Sequence, residues 1–267
     1  MLKRIVSAAL LLFGVIVLEA GVTTNSSNAS SNDTCSTMPD GQAECTTRSS
    51  AQYNGKLKNG KPHGKGTMIM NNGNHYEGEF EDGFMEGDGK YIFKDGGYYE
   101  GEFKKNKFSG SGEQFFGNGN RYKGEFKNDR RHGYGKFIFK EGGYWEGTFV
   151  DGKLNGKGVK VYSGGERYEG DFVDDKRSGR GVLEYTNDNR YEGQFKDDKM
   201  HGRGVYKWAN GDRYEGEYID GKRTGKGVLE MVNGNRYEGD FREGKSNGFG
   251  KLKEGGSSYQ GQLSDGK

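Results

Sequence analysis

The stretch YEGEF at residues 76–80 returns with small changes down most of the chain: YEGEF from Tyr99, YKGEF from Tyr122, WEGTF from Trp145, YEGDF from Tyr168, YEGQF from Tyr191, YEGEY from Tyr214 and YEGDF from Tyr237. Alternation decides what such a phrase builds. In a strand, residues 1, 3 and 5 share one face while 2 and 4 point the other way. Tyr76, Gly78 and Phe80 therefore lie together, with Glu77 and Glu79 opposite. No catalytic group stands out in the phrase, so its repetition is read first as architecture.

With the opening aromatic as repeat position 1, units start at Tyr53, Tyr76, Tyr99, Tyr122, Trp145, Tyr168, Tyr191, Tyr214, Tyr237 and Tyr259. Every interval is 23 residues except the last, which is 22. Position 3 is glycine in every unit, and positions 12 and 14 are glycine from Gly64/Gly66 to Gly248/Gly250. A second alternating run, such as KYIF at residues 90–93, follows each polar Gly-rich stretch, so each unit predicts a β-hairpin. Glycine at this density argues against helix. The glycine at position 3 leaves a trough between two aromatics, and the later pair allows bends and close approach. About twenty strands at about 4.8 Å spacing predict a ribbon about 90 Å long.

The unit YEGEYIDGKRTGKGVLEMVNGNR at residues 214–236 resembles a MORN (membrane occupation and recognition nexus) repeat, and the resemblance covers residues 53–267. It implies an all-β fold: an elongated, single-layer, twisted antiparallel sheet of stacked hairpins, shaped as a groove. Members of the family serve as scaffolds, protein-binding modules or membrane-associated modules, and some carry separate catalytic domains. A phosphatidylinositol phosphate kinase-related role is thus the weakest of three readings, because outside the repeats there is only a leader and a linker to carry it.

Composition agrees with a repeat array. Only 30% of residues are hydrophobic and mean hydropathy is −1.04, yet 17 Tyr, 16 Phe and 2 Trp are too many aromatics for a disordered chain. The 41 basic and 39 acidic residues leave a net charge of +2 and no basic block, which argues against nucleic acid as a partner. Residues 1–20 pair Lys3 and Arg4 with an apolar run at 5–18, as in a secretory signal peptide or an N-terminal anchor. Residues 21–50 read as a Ser/Thr/Asn-rich linker with three Asn-x-Ser/Thr triplets, and residues 51–267 as the repeat domain. The expectation is an exported protein: secreted, periplasmic or on the cell surface. Cys35 and Cys45, the only cysteines, predict one small disulfide loop there.

Catalytic chemistry is hard to place. His63, His132 and His201 all occupy position 11, three repeats apart, and the glutamate rows repeat one environment where paired acids need two different ones. The sequence therefore predicts a binding protein without catalysis or cofactor. Three surfaces are candidates. An aromatic groove is expected from Tyr76, Phe80, Tyr99, Phe103, Tyr122, Phe126, Trp145, Phe149, Tyr168, Phe172, Tyr191, Phe195, Tyr214 and Tyr218, reachable because a single layer has no covering sheet. A basic row at the hairpin tips, with Lys153, Lys176, Arg177, Lys199, Lys222 and Arg223, suits anionic lipid, although the acids at positions 2, 4 and 7 could balance it. Position 17 is apolar in the first five units (Ile69, Ile92, Phe115, Ile138, Val161) and charged in the next four, while position 15 becomes valine at Val159, Val182, Val205 and Val228. That stripe predicts a contact with a protein partner, a second copy or the membrane. An open strand edge at the C-terminal end predicts pairing into a homodimer.

Overall fold

The computed structural model describes residues 33–266. The leader and the asparagines of the three triplets lie outside them. Within the repeats, a seven-residue strand such as β3 (Gln52–Lys58) turns into a nine-residue strand such as β4 (Lys61–Ile69). The alternation runs to the strand Ser257–Leu263 and gives one antiparallel sheet of 21 strands, with no helix among the described residues. Strands pair with their chain neighbours throughout, as in Arg190–Lys196 between Lys176–Glu184 and Lys199–Lys207.

Each hairpin closes through two residues that both have positive φ, for example Asp151 (48°) and Gly152 (88°), or Asp174 (48°) and Asp175 (69°). Such two-residue turns match the right-handed twist of the strands they join. The longer strand carries a bulge. Gly193 pairs with Gly204, but the next partner of Gln194 is His201, so Gly202 and Arg203 are extra. Toward the following repeat the same strand is in unbroken register, from Gly202↔Tyr218 to Lys207↔Arg213. Only one side of each strand is lengthened, which bends the sheet the same way at every repeat. The bulge leaves the position-13 N–H without a ladder partner, and the position-4 side chain accepts it. Glu102 does so for Ser111 (2.8 Å), Glu125 for Tyr134 (3.0 Å), Asp171 for Arg180 (2.9 Å) and Gln194 for Arg203 (2.9 Å).

One face of the sheet is the core. Each position-1 tyrosine lies over the two glycines beneath it, and its hydroxyl donates to the carbonyl of position 4 at 2.8–3.2 Å, from Tyr53–Lys56 to Tyr259–Gln262. A ring from its own unit and one from the next meet it edge-on, as Phe80 and Phe103 meet Tyr76 at 5.1 and 4.9 Å. Position 10 closes the top: Phe108 stacks on Tyr99 at 3.9 Å, and Met85 or an arginine does so elsewhere. The following repeat supplies much of this cover. Tyr214 is fully buried, whereas Tyr259, with no complete unit after it, is 51% exposed.

Burial pushes the core tyrosines up, Tyr185 and Tyr214 to about 12. A phenol whose folded value is raised contributes stability that is intact below its unfolded value near 10 and lost as pH rises through the folded one. Alkaline titration of tyrosine absorbance is therefore expected to give a late, cooperative step between about pH 10 and 12, coincident with loss of the strand CD signal. A gradual phenol titration centred near 10 with the fold intact would contradict this packing.

The sheet begins earlier than the linker reading predicts. Residues 34–46 form a hairpin, β1 (Thr34–Thr37) and β2 (Gln42–Thr46), and β2 pairs with β3. The Cys35–Cys45 disulfide joins directly opposed residues of that hairpin. Ala43 and Cys45 are buried beside Tyr53, so the hairpin covers the first repeat where a preceding unit would otherwise stand. Its Ser/Thr-rich composition hid the strand, because only these inward positions are apolar.

Candidate binding groove

The face expected to form an open aromatic groove is closed. Tyr76, Phe80, Tyr99, Phe103, Tyr122, Phe126, Phe149, Tyr168, Phe172, Tyr191, Phe195, Tyr214 and Tyr218 are all buried, none more than 4% exposed. A single layer suffices because each tyrosine lies flat in its trough, and rings from two repeats together with position 10 cover it. Trp145 is the exception and is half-buried. An indole does not fit the trough; Leu154 fills it instead, against Gly147 and Gly158. Trp145 packs outward on Phe139 (5.0 Å), with the buried Lys160 ammonium 3.7 Å from its ring.

The basic tips are committed as well. Lys153, Lys176 and Lys199 pair with Asp174, Asp197 and Asp220 of the next repeat at 3.7, 3.2 and 3.7 Å, and Lys222 pairs with Glu243. Arg177 and Arg223 do not point out as tips. Arg177 folds over Tyr168 and Phe195 and donates to the Asp198 carbonyl (2.7 Å), while Arg223 covers Tyr214 and Phe241 and donates to the Gly244 carbonyl. A position next to the turn puts the side chain on the core face, which the strand parity of position 10 dictates.

The opposite face carries the glutamates, and its two halves differ. In the N-terminal half, long side chains at position 15 cross to the glutamates of the next strand: Lys90 to Glu100 and Lys136 to Glu146, both 2.9 Å, each ammonium also over a tyrosine ring. The Lys136 hydrogen bond holds Glu146 below the usual carboxylate range. Beside this filled column runs the apolar stripe, with Ile69, Ile92 and Ile138 exposed, Phe115 stacked on Tyr98 at 4.8 Å and Val161 half-buried.

In the C-terminal half, position 15 is Val159, Val182, Val205 and Val228, and the glutamates turn to arginines on their own strands instead. Arg190 reaches Glu192 at 2.8 Å and Arg236 reaches Glu238 at 2.6 Å; Arg167–Glu169 and Arg213–Glu215 repeat the arrangement. Short side chains leave the middle of the sheet bare. The result is a groove of 1830 Å³ between Tyr134 and Gln260, floored by the glycine pairs. Valines and glutamates form one wall; position 13 (Lys157, Arg180, Arg203, Lys226) and position 4 form the other. It crosses about a dozen strands, roughly 50 Å. Lys157 bonds Asp171 at 2.7 Å and holds that carboxyl below its ordinary range, and Lys226 bonds Asp240 at 2.6 Å.

The groove therefore sits on the side opposite the one expected, and it includes residues that the sequence did not single out. The switch of position 15 to valine was the visible signal; the closing of the aromatic side was not. His63, His132 and His201 stand three repeats apart at position 11, each with a buried Nδ1 that has no hydrogen-bond partner among the described residues.

Compared by sequence with curated proteins, the chain matches none. Among solved structures it is similar to the TCP10 domain of Danio rerio CPAP in complex with a peptide of Danio rerio STIL, at TM-score 0.46 and 10% identity, over 87% of this chain and 100% of that one. The same domain without peptide gives TM-score 0.39 and 9% identity, over 78% and 94%. The TCP domain of SAS-4 (dCPAP) of Drosophila melanogaster, in complex with a Proline Rich Motif of Ana2 (dSTIL), gives TM-score 0.31 and 10% identity, over 77% and 94%. The sequence profile of the MORN repeat matches nine consecutive segments: 53–75, 76–98, 99–121, 122–144, 145–167, 168–190, 191–213, 214–236 and 237–253. With more than half its length matched in register with its hairpins, the chain belongs to the MORN repeat family.

Proposed function

We propose that this chain is an exported, non-catalytic scaffold that holds an extended segment of a protein partner in the groove of its C-terminal half. The observation that carries this is the groove itself: continuous over residues 134–260, floored by backbone and lined by both apolar and charged rows. A floor without side chains lets a partner's backbone approach closely, while the flanking rows supply contacts in register. The pairing of Lys153, Lys176, Lys199 and Lys222 with acids of the next repeat supports a protein over anionic lipid, since this stretch of the row offers little uncompensated charge. Export is supported by the Cys35–Cys45 pairing, because such bonds persist in oxidising compartments.

Site-specific crosslinking tests the reading. A photocrosslinker on Val205→Cys is expected to capture a partner protein from the exported fraction, and the same probe on Lys199→Cys at a tip is not. Capture at the tip alone, or equally at both, would refute a groove-bound partner.

A further inference from the structure

One stretch of the groove wall breaks the charge pairing found on both sides of it. Lys157 and Lys226 are matched by Asp171 and Asp240, but between them the Arg180 and Arg203 guanidinium groups have no hydrogen bond or ion pair among the described residues. The reason lies on the strand between them. Arg180 stands opposite position 4 of the next unit, an acid in most repeats and Gln194 here. Of the nearby carboxylates, Asp171 holds Lys157 and the Arg180 N–H, and Glu217, opposite Arg203, turns over Gly225 of its own bulge and forms no ion pair with Arg203 among the described residues. Glu192, on the far wall, pairs with Arg190. Gln194 accepts the Arg203 N–H through Oε1, which leaves its NH₂ donors uncommitted.

From this we infer, resting on the groove reading above, that the segment bound there is acidic, with carboxylates three residues apart facing Arg180 and Arg203. Charge complementarity supplies the sign: two free guanidinium groups and an amide donor, with no acceptor of their own, call for acceptors from the ligand. Spacing supplies the period. The arginines stand two strands apart, about 9.6 Å, and a chain in the polyproline II conformation rises about 3.1 Å per residue with three residues per turn, so every third residue lies on the same face and meets the next arginine. The residue after each acid then faces the valine wall at Val182 and Val205, and the third faces solvent. The motif read is acid–apolar–any, repeated.

Fluorescence anisotropy with the full, disulfide-bonded chain tests this. The probe is a labelled twelve-residue synthetic peptide with aspartate at every third position, valine after each aspartate and serine elsewhere. It is expected to bind at least tenfold more tightly than a peptide of the same length and composition with its aspartates two apart. The double variant Arg180→Glu/Arg203→Glu should lose that affinity at least tenfold while keeping its CD spectrum, since both side chains are exposed, and should gain affinity for the lysine version of the probe. Equal binding of both spacings, no binding of the probe, or unchanged binding by the double variant would overturn the inference. Phosphatidylserine vesicles that float the parent chain and not the double variant would assign the arginines to a membrane and overturn it too. An asparagine version that binds as well as the probe, and crosslinks through Val205→Cys, would overturn the acidic specificity alone; loss of all groove crosslinking would remove the underlying reading.

Discussion

Gly204→Val is expected to destabilise the chain by about 3 kcal/mol and to split its unfolding into separate steps. A Cβ there falls 2.3 Å from the Tyr191 hydroxyl oxygen and 2.5 Å from two ring carbons. The ring cannot shift within its layer, because Phe195 and Tyr218 hold it at 5.1 and 5.2 Å. It must leave the trough, losing both its burial and its bond to the Gln194 carbonyl. In a stacked array each repeat is stabilised by its neighbours, so a defect in the seventh unit uncouples the units on either side. Trp145 and Trp208, the only tryptophans, report on the fifth and seventh units. During urea unfolding Trp208 emission should change before Trp145 emission. Gly164→Ala, with open space around its Cβ, should leave both transitions in place. Coincident transitions at the parent midpoint in the Gly204→Val variant would rule out the trough packing.

Leu154→Ala should cost about 3 kcal/mol, within the usual range for a fully buried leucine, and should be partly repaired by a second change that looks unrelated. Leu154 occupies the space that tyrosine takes in other units, with Cδ1 3.0 Å from a Cβ built on Gly147. Emptying it leaves a cavity of tyrosine shape. Trp145→Tyr should be unfavourable alone, because leucine blocks the trough, yet in the Leu154→Ala background the new ring can lie flat and donate to the carbonyl of Thr148. Chemical denaturation of the four proteins is expected to show a favourable coupling of at least about 1 kcal/mol. Additive costs would mean that the fifth unit is held by something other than the contents of its trough.

The hairpins, their 23-residue period and the division of faces were legible from YEGEF because strand parity is strict and glycine marks its own positions. The same parity could have warned that Arg177 and Arg223, at position 10, turn toward the rings, not outward with the lysines beside them. Two things were out of reach. Whether a row of rings covers itself depends on angles that periodicity does not encode; here the tyrosine hydroxyl reaches a carbonyl three residues on and pulls the ring flat. The groove likewise depends on side-chain length across strands: Lys90 and Lys136 fill the middle of the sheet, Val182 and Val205 leave it open. The difference was visible as composition, but its meaning required knowing which glycines lay between the rows.

The ties between repeats have a consequence for the length of the molecule. Each recurs at a fixed step: position 8 to position 10 of the unit before, as Asp175 accepts from Leu154, position 22 to position 19 of the unit after, as Asn189 accepts from Ala209, and the tip pairs such as Lys176 with Asp197. Among the described residues, no hydrogen bond or ion pair within the repeats reaches beyond the adjacent unit. The rod is therefore a ruler, with one graduation of about 10 Å per unit. An in-frame duplication of residues 191–213 would add one graduation without a new kind of contact, and would lengthen the groove by one arginine and one valine.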